Sequence, residues 1–223
     1  MLSTSANWSN QQLNYFNWLR HQGAKNNILL PFKPGTSGNK LPTKPGTDGN
    51  FYERKMFMEF FDSHSHLNDE KFDKDKDETI NMLKKEKITR FITCGYDLES
   101  SKKAINIAQK YDCTFATCAI SPNDIPQSEE ELWKELEEIK KIAKQKKVVA
   151  IGEIGLDYYW NKDNKELQKK AFIKQIEIAN DLNLPIAIHT RDAVMDTLAI
   201  LKQNNVNNKG CLLYTSPSPR DCS

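Results

Sequence analysis

The chain has 223 residues, enough for one large domain or two small ones, and a formal net charge of +2. The charge is unevenly distributed, because residues 1–55 hold seven basic and two acidic residues while the remainder holds 25 basic and 28 acidic ones. The larger part of the chain is therefore not a basic nucleic-acid-binding surface.

The sequence shows no feature of a membrane or secreted protein. No apolar run is long enough to span a bilayer, and the first residues lack the basic segment and apolar core of a secretory signal. The five cysteines form neither a CxxC pair nor an even-numbered framework. This pattern favours free thiols in a reducing compartment, so we expect a cytoplasmic protein.

Residues 1–55 are predicted to form an irregular or disordered extension. They contain two Pro-Gly turn motifs in a polar context, Pro34–Gly38 and Pro45–Gly49. Only Asn14–Leu19 favours a helix, and it is short.

Residues 56–210 alternate predicted strands with predicted helices. The strands are expected at Phe57–Phe61, Arg90–Cys94, Thr114–Ile120, Val148–Ile151 and Pro185–Ile188. Ser128 begins one helix with a Ser-x-x-Glu capping box, and apolar residues at helical spacing indicate helices over Glu166–Leu182 and Asp192–Gln203. This alternation predicts parallel βα units.

Residues 211–223 break the alternation. The segment begins like a sixth strand and then becomes rich in Ser and Pro. We therefore predict three regions: an extension over 1–55, an α/β domain over 56–210, and a tail over 211–223 that does not look native to that domain.

Side chains of the types that bind metals stand at the ends of three predicted strands. His64 and His66 are two residues apart, so in an extended strand both imidazoles point to one face. Glu153 and His189 each end a later apolar run. In (β/α)8 barrels the catalytic residues lie at the carboxyl ends of the strands. Two imidazoles and a carboxylate there suit a divalent ion, and a second ion sharing the carboxylate would suit phosphodiester hydrolysis.

Each of these residues has a second interpretation when it is taken alone. The two histidines of the HxH pattern are compatible with surface or core positions. Glu153 is compatible with a helix cap or an ion pair, and His189 with a donor to a backbone carbonyl. The combination of all four favours the metal site.

Arg191 stands two residues beyond His189 and is a candidate substrate-binding residue, because a guanidinium grips a phosphate or carboxylate through two hydrogen bonds. The alternative is an ion pair with Asp192 or Asp157. Asp62 and Asp157 are expected to orient the ligand histidines. Cys94 and Cys118 are expected to be small buried strand residues rather than ligands.

Three segments resemble the N-terminal signatures of the TatD family of metal-dependent deoxyribonucleases. They are Phe61–Leu67, Ala150–Tyr159 and Ile188–Ala193, and they occur in the family's order and spacing. The resemblance covers residues 56–208 and implies a partial TIM-like (β/α)8 metallo-hydrolase barrel of about five βα units.

The resemblance also implies an activity and a ligand set. The activity is 3′-5′ exonuclease-like cleavage of DNA by a cytoplasmic enzyme with a two-metal centre, and we expect a monomer. Magnesium is the expected metal, with zinc or manganese as alternatives. By resemblance, His64 and His66 bind one ion, His189 binds the second, and Glu153 bridges both.

The sequence also departs from the family pattern. Ser121 stands where many relatives have a His that contacts substrate. The His of an LHCF-like motif at strand six and the Asp of an ETD-like motif at strand eight are absent, and the departure begins at Lys209–Tyr214. Both missing residues are metal ligands, and the Asp is the expected base for the attacking water. We therefore expect a C-terminally truncated enzyme with weak stability and little or no activity.

Two other functions stay open at this point. One is an amidohydrolase-like enzyme that cleaves C–N or C–O bonds or deacylates a tRNA, since HxH on the first strand is shared with that group. The other is a non-catalytic fragment that keeps a metal site. Glu153 stands where a carboxylated lysine would be expected in amidohydrolases, which favours the nuclease.

Overall fold

The computed structural model describes residues 60–208 and 210–212. The predicted extension over 1–55, its helix at Asn14–Leu19 and residues 213–223 of the predicted tail lie outside the described residues. No helix in the described part of the chain is both long enough and apolar enough to cross a membrane.

The described residues form a parallel sheet of six strands whose spatial order is the chain order. The strands are β1 (Phe60–Ser65), β2 (Ile88–Cys94), β3 (Thr114–Cys118), β4 (Val148–Asp157), β5 (Ile186–Arg191) and β6 (Gly210–Leu212). Each strand pairs in parallel with the next. This sheet is the half-barrel of a TIM-like fold, so the predicted fold class is confirmed.

Five α-helices connect the strands: α1 (Lys76–Lys85), α2 (Leu98–Lys110), α3 (Glu129–Ile142), α4 (Lys165–Leu182) and α5 (Val194–Gln203). A short 3-10 helix at Glu70–Phe72 precedes α1. Ser128 caps α3, because its hydroxyl accepts the Glu131 amide hydrogen at 3.1 Å, which is one of the two bonds of the predicted capping box. Helix α4 ends at Asn183, which has the left-handed conformation typical of a helix terminus.

The hydrophobic core lies between the sheet and the helices. Helix α2 packs against β2 and β3, α4 packs against β4, and α5 packs against β4 and β5. Apolar residues at helical spacing, among them Leu132, Leu136 and Phe172, are fully buried in this layer. Helix α5 still exposes Met195 and Leu198 on its outer side.

The strands that carry the candidate ligands are longer than predicted, because β1 continues through His64 to Ser65, β4 continues from Val148 to Asp157, and β5 continues to Arg191. Polar residues remain in the ladder here because they face a cavity at this end of the sheet. His64, Glu153 and His189 therefore lie within strands rather than after them. In contrast, β3 ends at Cys118, two residues before the predicted Ile120, and the predicted start of the first strand at Phe57 lies outside the described residues.

Two strands are irregular at the predicted ligands. In β1, Asp62 pairs with Phe91 and Ser65 pairs with Thr93, so one extra residue is inserted on the β1 side next to His64. The β4–β5 ladder has a similar irregularity between Ile151 and Ile154, around Glu153. Bulges of this kind redirect side chains and are common beside functional sites.

Candidate metal centre

The four predicted ligands meet at one point, at the carboxyl end of the sheet. His64 Nε2 lies 2.6 Å from Glu153 Oε1 and 3.1 Å from His66 Nε2. His66 Nε2 is also 3.3 Å from Glu153 Oε1. His189 approaches from the other side, with Nδ1 3.7 Å from Glu153 Oε2. Both carboxylate oxygens of Glu153 therefore face imidazole nitrogens, each oxygen toward a different strand.

Curvature of the sheet brings these side chains together. In a flat sheet, β1 and β4 would lie three strand spacings apart, ~14 Å, and side chains standing perpendicular to it would stay about that far apart. The observed separation of His64 Nε2 and Glu153 Oε1 is 2.6 Å. Residues 89 positions apart in sequence thus share one site because the half-barrel curves.

Neighbouring groups fix the tautomers of two histidines. His66 Nδ1 lies 3.1 Å from the Cys94 carbonyl oxygen, which can only accept, so Nδ1 donates and Nε2 presents a lone pair to the site. His189 Nε2 lies 2.9 Å from Asp157 Oδ2, so Nε2 donates and Nδ1 presents its lone pair toward Glu153. Asp157 therefore orients His189, as predicted for it.

Asp62 has a different contact from the one expected. Its Oδ1 accepts the backbone amide hydrogen of His64 at 3.1 Å. This bond supports the main chain at the β1 irregularity, so Asp62 acts on the backbone that carries the imidazole.

The electrostatics of the centre favour a bound cation. Burial raises the pKa of Glu153, but hydrogen bonds with His64 and His66 outweigh it and hold this pKa well below its usual range. Burial lowers the pKa of His64, but the hydrogen bond and charge of Glu153 and the charge of Asp62 raise it overall. His64 Nε2 lies within hydrogen-bond distance of both Glu153 Oε1 and His66 Nε2.

The donor set fits a divalent ion. Imidazole nitrogens and carboxylate oxygens converge here at hydrogen-bond distances, and these are donor atoms that bind divalent cations. Glu153 is 8 % exposed, and its ion-pair partners in the described part of the chain are all histidines. The arrangement supports the ligand prediction, which stays a prediction until a metal is measured.

Two glycines allow the strand that carries Glu153 to approach β5 closely. A Cβ on Gly152 would lie 2.5 Å from the Ala187 Cβ. Gly155 has φ +141°, and a Cβ there would collide with the carbonyl oxygen of His189. Gly155 is also the register partner of His189. These positions require glycine because any side chain would push β4 away from β5 at the centre.

Cys94 lies closer to the centre than the sequence indicated. Its sulfur and the ligand atoms of His64 and Glu153 lie within 4.8 Å of one another. Cys94 and Cys118 are nevertheless buried strand residues, as predicted. Burial and the charge of Glu153 raise the pKa of the Cys94 thiol far above its usual range.

Arg191 makes neither of the predicted ion pairs among the described residues. Its guanidinium carbon instead lies 3.9 Å from the centroid of the Tyr159 ring and 5.3 Å from that of Trp160. The alternative of an ion pair with Asp157 fails because the Asp157 carboxylate is already occupied by His189 and by backbone amides. Stacking holds the guanidinium plane while leaving its N–H edges available.

A cavity of about 670 Å³ lies beside the four residues, within the range of ligand-binding pockets. Its wall includes Glu153, His189 and Arg191. It also includes five residues that the sequence reasoning did not single out, namely Asp69, Lys71, Tyr96, Asn123 and Trp160. Tyr96, Asn123 and Trp160 each follow a strand by a few residues, and that position was the signal that could have identified them.

Ser121 also lines this cavity. Its hydroxyl donates to the Asp124 carboxylate and accepts the Asn123 amide hydrogen at 3.2 Å. The hydroxyl therefore stabilises the loop after β3, which places the Asn123 side chain within 3.2 Å of Asp157.

The sequence matches a known protein family over most of its length. The family model described as "TatD related DNase" matches residues 61–221. The chain belongs to this family. Its TatD-family relatives include "Uncharacterized metal-dependent hydrolase YabD" of Bacillus subtilis, 40% identical over 168 residues, which are 73% of this chain and 64% of that protein. Another is "3'-5' ssDNA/RNA exonuclease TatD" of Escherichia coli K12, 35% identical over 163 residues, 72% of this chain and 61% of that protein.

Solved TatD-family structures have the same fold. The crystal structure of YJJV, a TatD homolog from Escherichia coli K12, superimposes with a TM-score of 0.66 at 22% identity, covering 72% of this chain and 62% of that one. A TatD family hydrolase from Entamoeba histolytica gives 0.59 at 25% identity, covering 65% and 54%. The chain thus spans about three-fifths of the length of the TatD-family relatives it matches.

Proposed function

We propose that the protein is a metal-dependent phosphodiesterase that removes nucleotides from DNA ends, in the 3′-5′ direction. The observation that carries this proposal is the buried carboxylate of Glu153, whose Oε1 faces His64 and His66 and whose Oε2 faces His189. One carboxylate placed between two sets of imidazoles is suited to bridging two divalent ions, with magnesium expected.

Each residue of the centre has a distinct part in this proposal. His64 and His66 would hold one ion and His189 the second, while Glu153 would bind both. Divalent ions, when bound, supply charge stabilisation to the attacking and leaving oxygens of a phosphodiester. Arg191 would grip a non-bridging phosphate oxygen, because its stacked guanidinium faces the same cavity.

The choice of nucleic acid as substrate is supported by two matched relatives, which carry the name "3'-5' ssDNA/RNA exonuclease TatD". Residues 56–223 carry 25 basic and 28 acidic residues, so their net charge does not attract DNA, and contact would be made at a strand end through metals and a few local groups. We also propose a cytoplasmic monomer, since the free thiols Cys94, Cys113 and Cys118 suit a reducing compartment.

The first test is metal binding. Calorimetric titration of Mn²⁺ into the 223-residue chain should show binding that Glu153→Gln weakens strongly, because the amide removes the negative charge between the imidazoles. Glu166→Gln is the matched control, since Glu166 lies on the exposed surface of α4 and forms an ion pair with Lys169. Equal Mn²⁺ affinity in the wild type and Glu153→Gln would refute the ligand assignment.

The second test is cleavage of a 3′-labelled single-stranded DNA oligonucleotide. We expect slow release of mononucleotides that requires Mg²⁺ or Mn²⁺ and is lost in Glu153→Gln. Release that continues in EDTA would contradict the metal-dependent mechanism. Metal binding without any metal-dependent cleavage would instead support the non-catalytic alternative for this chain.

A further inference from the structure

Two large aromatic side chains are exposed at the edge of the candidate metal centre. Tyr159 is 47% exposed and Trp160 is 68% exposed, directly after β4. Their rings meet edge to face, with centroids 4.8 Å apart and planes at 88°. Exposed rings of this size stand out because most of the apolar surface of this domain is buried in the core.

The turn that carries these rings is anchored to the metal centre. The carboxylate of Asp157, which is 0% exposed, accepts the backbone amide hydrogens of Tyr159 and Trp160 on Oδ1, both at 3.0 Å. Its Oδ2 accepts from His189 Nε2 at 2.9 Å. One carboxylate therefore fixes both a predicted metal ligand and the start of the aromatic turn.

A second buried side chain holds the rest of the turn. Gln168 on α4 accepts the Asp157 amide hydrogen at 2.8 Å. Its amide group donates to the Asp157 carbonyl at 3.1 Å, to the Asn161 carbonyl at 3.0 Å and to the Asn164 side chain at 2.7 Å. The exposed rings thus project from a backbone that is bonded on both sides of them.

Arg191 adds a cation to the same surface. Its guanidinium lies over the Tyr159 ring at 3.9 Å, and both Arg191 and Trp160 line the cavity that contains Glu153. A planar guanidinium and an indole, side by side at the edge of a phosphodiester-cleaving site, match the two parts of a nucleotide. The guanidinium suits the phosphate, and the indole offers a flat apolar face to the base.

We propose that Trp160, supported by Tyr159 and Arg191, is a stacking platform for an unpaired nucleobase next to the scissile phosphate. This inference rests on the proposed function and names the residues that would hold the base of a single-stranded end. A base inside a duplex has both faces covered, and a terminal base pair is held to its partner strand, whereas an unpaired terminal base can rotate to stack on indole. Stacking of this kind tolerates any base, because every base has a π face.

The competing interpretation is that only phosphate is recognised. In that case Arg191 alone binds nucleic acid, and the rings serve to hold its guanidinium. The two interpretations differ in one measurable respect, which is whether affinity depends on the presence of bases.

The test compares two oligonucleotides of equal charge and length by fluorescence anisotropy, in EDTA and low salt so that nothing is cleaved. One is a 5′-labelled oligothymidylate, and the other carries tetrahydrofuran abasic residues in place of its last nucleotides at the 3′ end. Wild type should bind the base-bearing oligonucleotide more tightly, by about fivefold to about 150-fold, which is the range for one stacked base.

Three variants complete the experiment. Trp160→Ala should bind both oligonucleotides with the weak affinity that wild type has for the abasic one, and Trp160→Phe should restore most of the preference. Trp133→Phe is the matched control, because Trp133 packs against the core on α3 and should leave the preference unchanged. Circular dichroism melting curves would verify that all variants fold.

The outcomes separate the inference from the proposed function. If wild type binds both oligonucleotides equally and Trp160→Ala changes neither affinity, the stacking platform is refuted while the phosphodiesterase proposal stands. If wild type binds neither oligonucleotide in EDTA, the stacking platform is refuted, because stacking on indole needs no metal, whereas cleavage in Mg²⁺ or Mn²⁺ separately decides the phosphodiesterase proposal.

Discussion

Replacing Asp157 with Asn tests how the centre is supported. The substitution keeps the size of a buried side chain and changes only its charge and one acceptor. Oδ1 can still accept the amide hydrogens of Tyr159 and Trp160. The new amide nitrogen, however, would face the donors of His189 and Asn123, which now bond to Oδ2 at 2.9 and 3.2 Å.

The expected loss of stability follows from those two bonds. A hydrogen bond to a charged group contributes ~1.5–3 kcal/mol, so two of them would contribute ~3–6 kcal/mol. A switch of His189 to its other tautomer recovers part of this, which leaves an expected loss of ~2–4 kcal/mol in the free energy of unfolding. At ~2–4 °C per kcal/mol for a domain of this size, the melting temperature should fall by about 5–15 °C.

The pH dependence of this loss has a defined sign. Burial raises the pKa of Asp157, but the Trp160 amide, His189 and other donors outweigh it and lower this pKa overall. Stabilisation from a lowered carboxyl pKa is present above the unfolded value of about 3.9 and disappears as the pH falls through the folded value. The difference between wild type and Asp157→Asn should therefore shrink on acidification below about pH 4.

Urea unfolding followed by circular dichroism, at pH 7 and in steps down to pH 3, measures both quantities. Asp163→Asn is the matched control, because Asp163 is exposed in the same turn and should change stability by less than ~0.5 kcal/mol. An Asp157→Asn variant as stable as this control at pH 7 would refute the contribution of the Oδ2 bonds to His189 and Asn123.

Three further predictions concern the sheet, the core and the metal. Gly155→Ala should lower the free energy of unfolding by at least ~2 kcal/mol in urea titrations, because the φ of Gly155 is +141° and a Cβ would meet the His189 carbonyl. A loss below ~1 kcal/mol would contradict the close approach of β4 and β5. Phe172→Ala should cost ~3–5 kcal/mol in the same assay, since this ring is fully buried on α4, and a smaller effect would mean that the core is loosely packed there. The affinity for Mn²⁺, measured by calorimetry, should fall as the pH is lowered from 8 to 6, because the raised pKa of His64 lets a proton compete with the metal for its imidazole. An affinity that does not change with pH would exclude His64 as a ligand.

The fold was largely predictable because its signals are local. Helix caps, apolar spacing and strand–helix alternation each act over a few residues, and together they predict parallel βα units. The ends of β1, β4 and β5 were predicted too early because a polar residue or a glycine was taken as the end of the strand, whereas the end of β3 was predicted two residues too late. In β4 the polar residues Glu153 and Asp157 are buried within the ladder, since they face a cavity rather than solvent.

The residues of the site could be predicted from the sequence, but the relative positions of their side chains could not. His64, Glu153 and His189 could be placed at one end of the sheet from strand order alone. The extra residue beside His64 in β1, which redirects its imidazole, has no signature in a period-two pattern. The stacking of Arg191 on Tyr159 was also missed, because it depends on the register of β4 against β5, where Asp157 is opposite Arg191.

The contact between His64 and Glu153 has a mechanical consequence. It joins β1 to β4 across two intervening strands, so the distance between the two side chains depends on the curvature of the sheet. An ion bound there would link β1 to β4 and stabilise the curvature of the sheet. The affinity for the ion would in turn depend on that curvature. Substituting a smaller residue for a core side chain between the helices and the sheet, such as Leu136, would then change the affinity for the ion without changing any ligand.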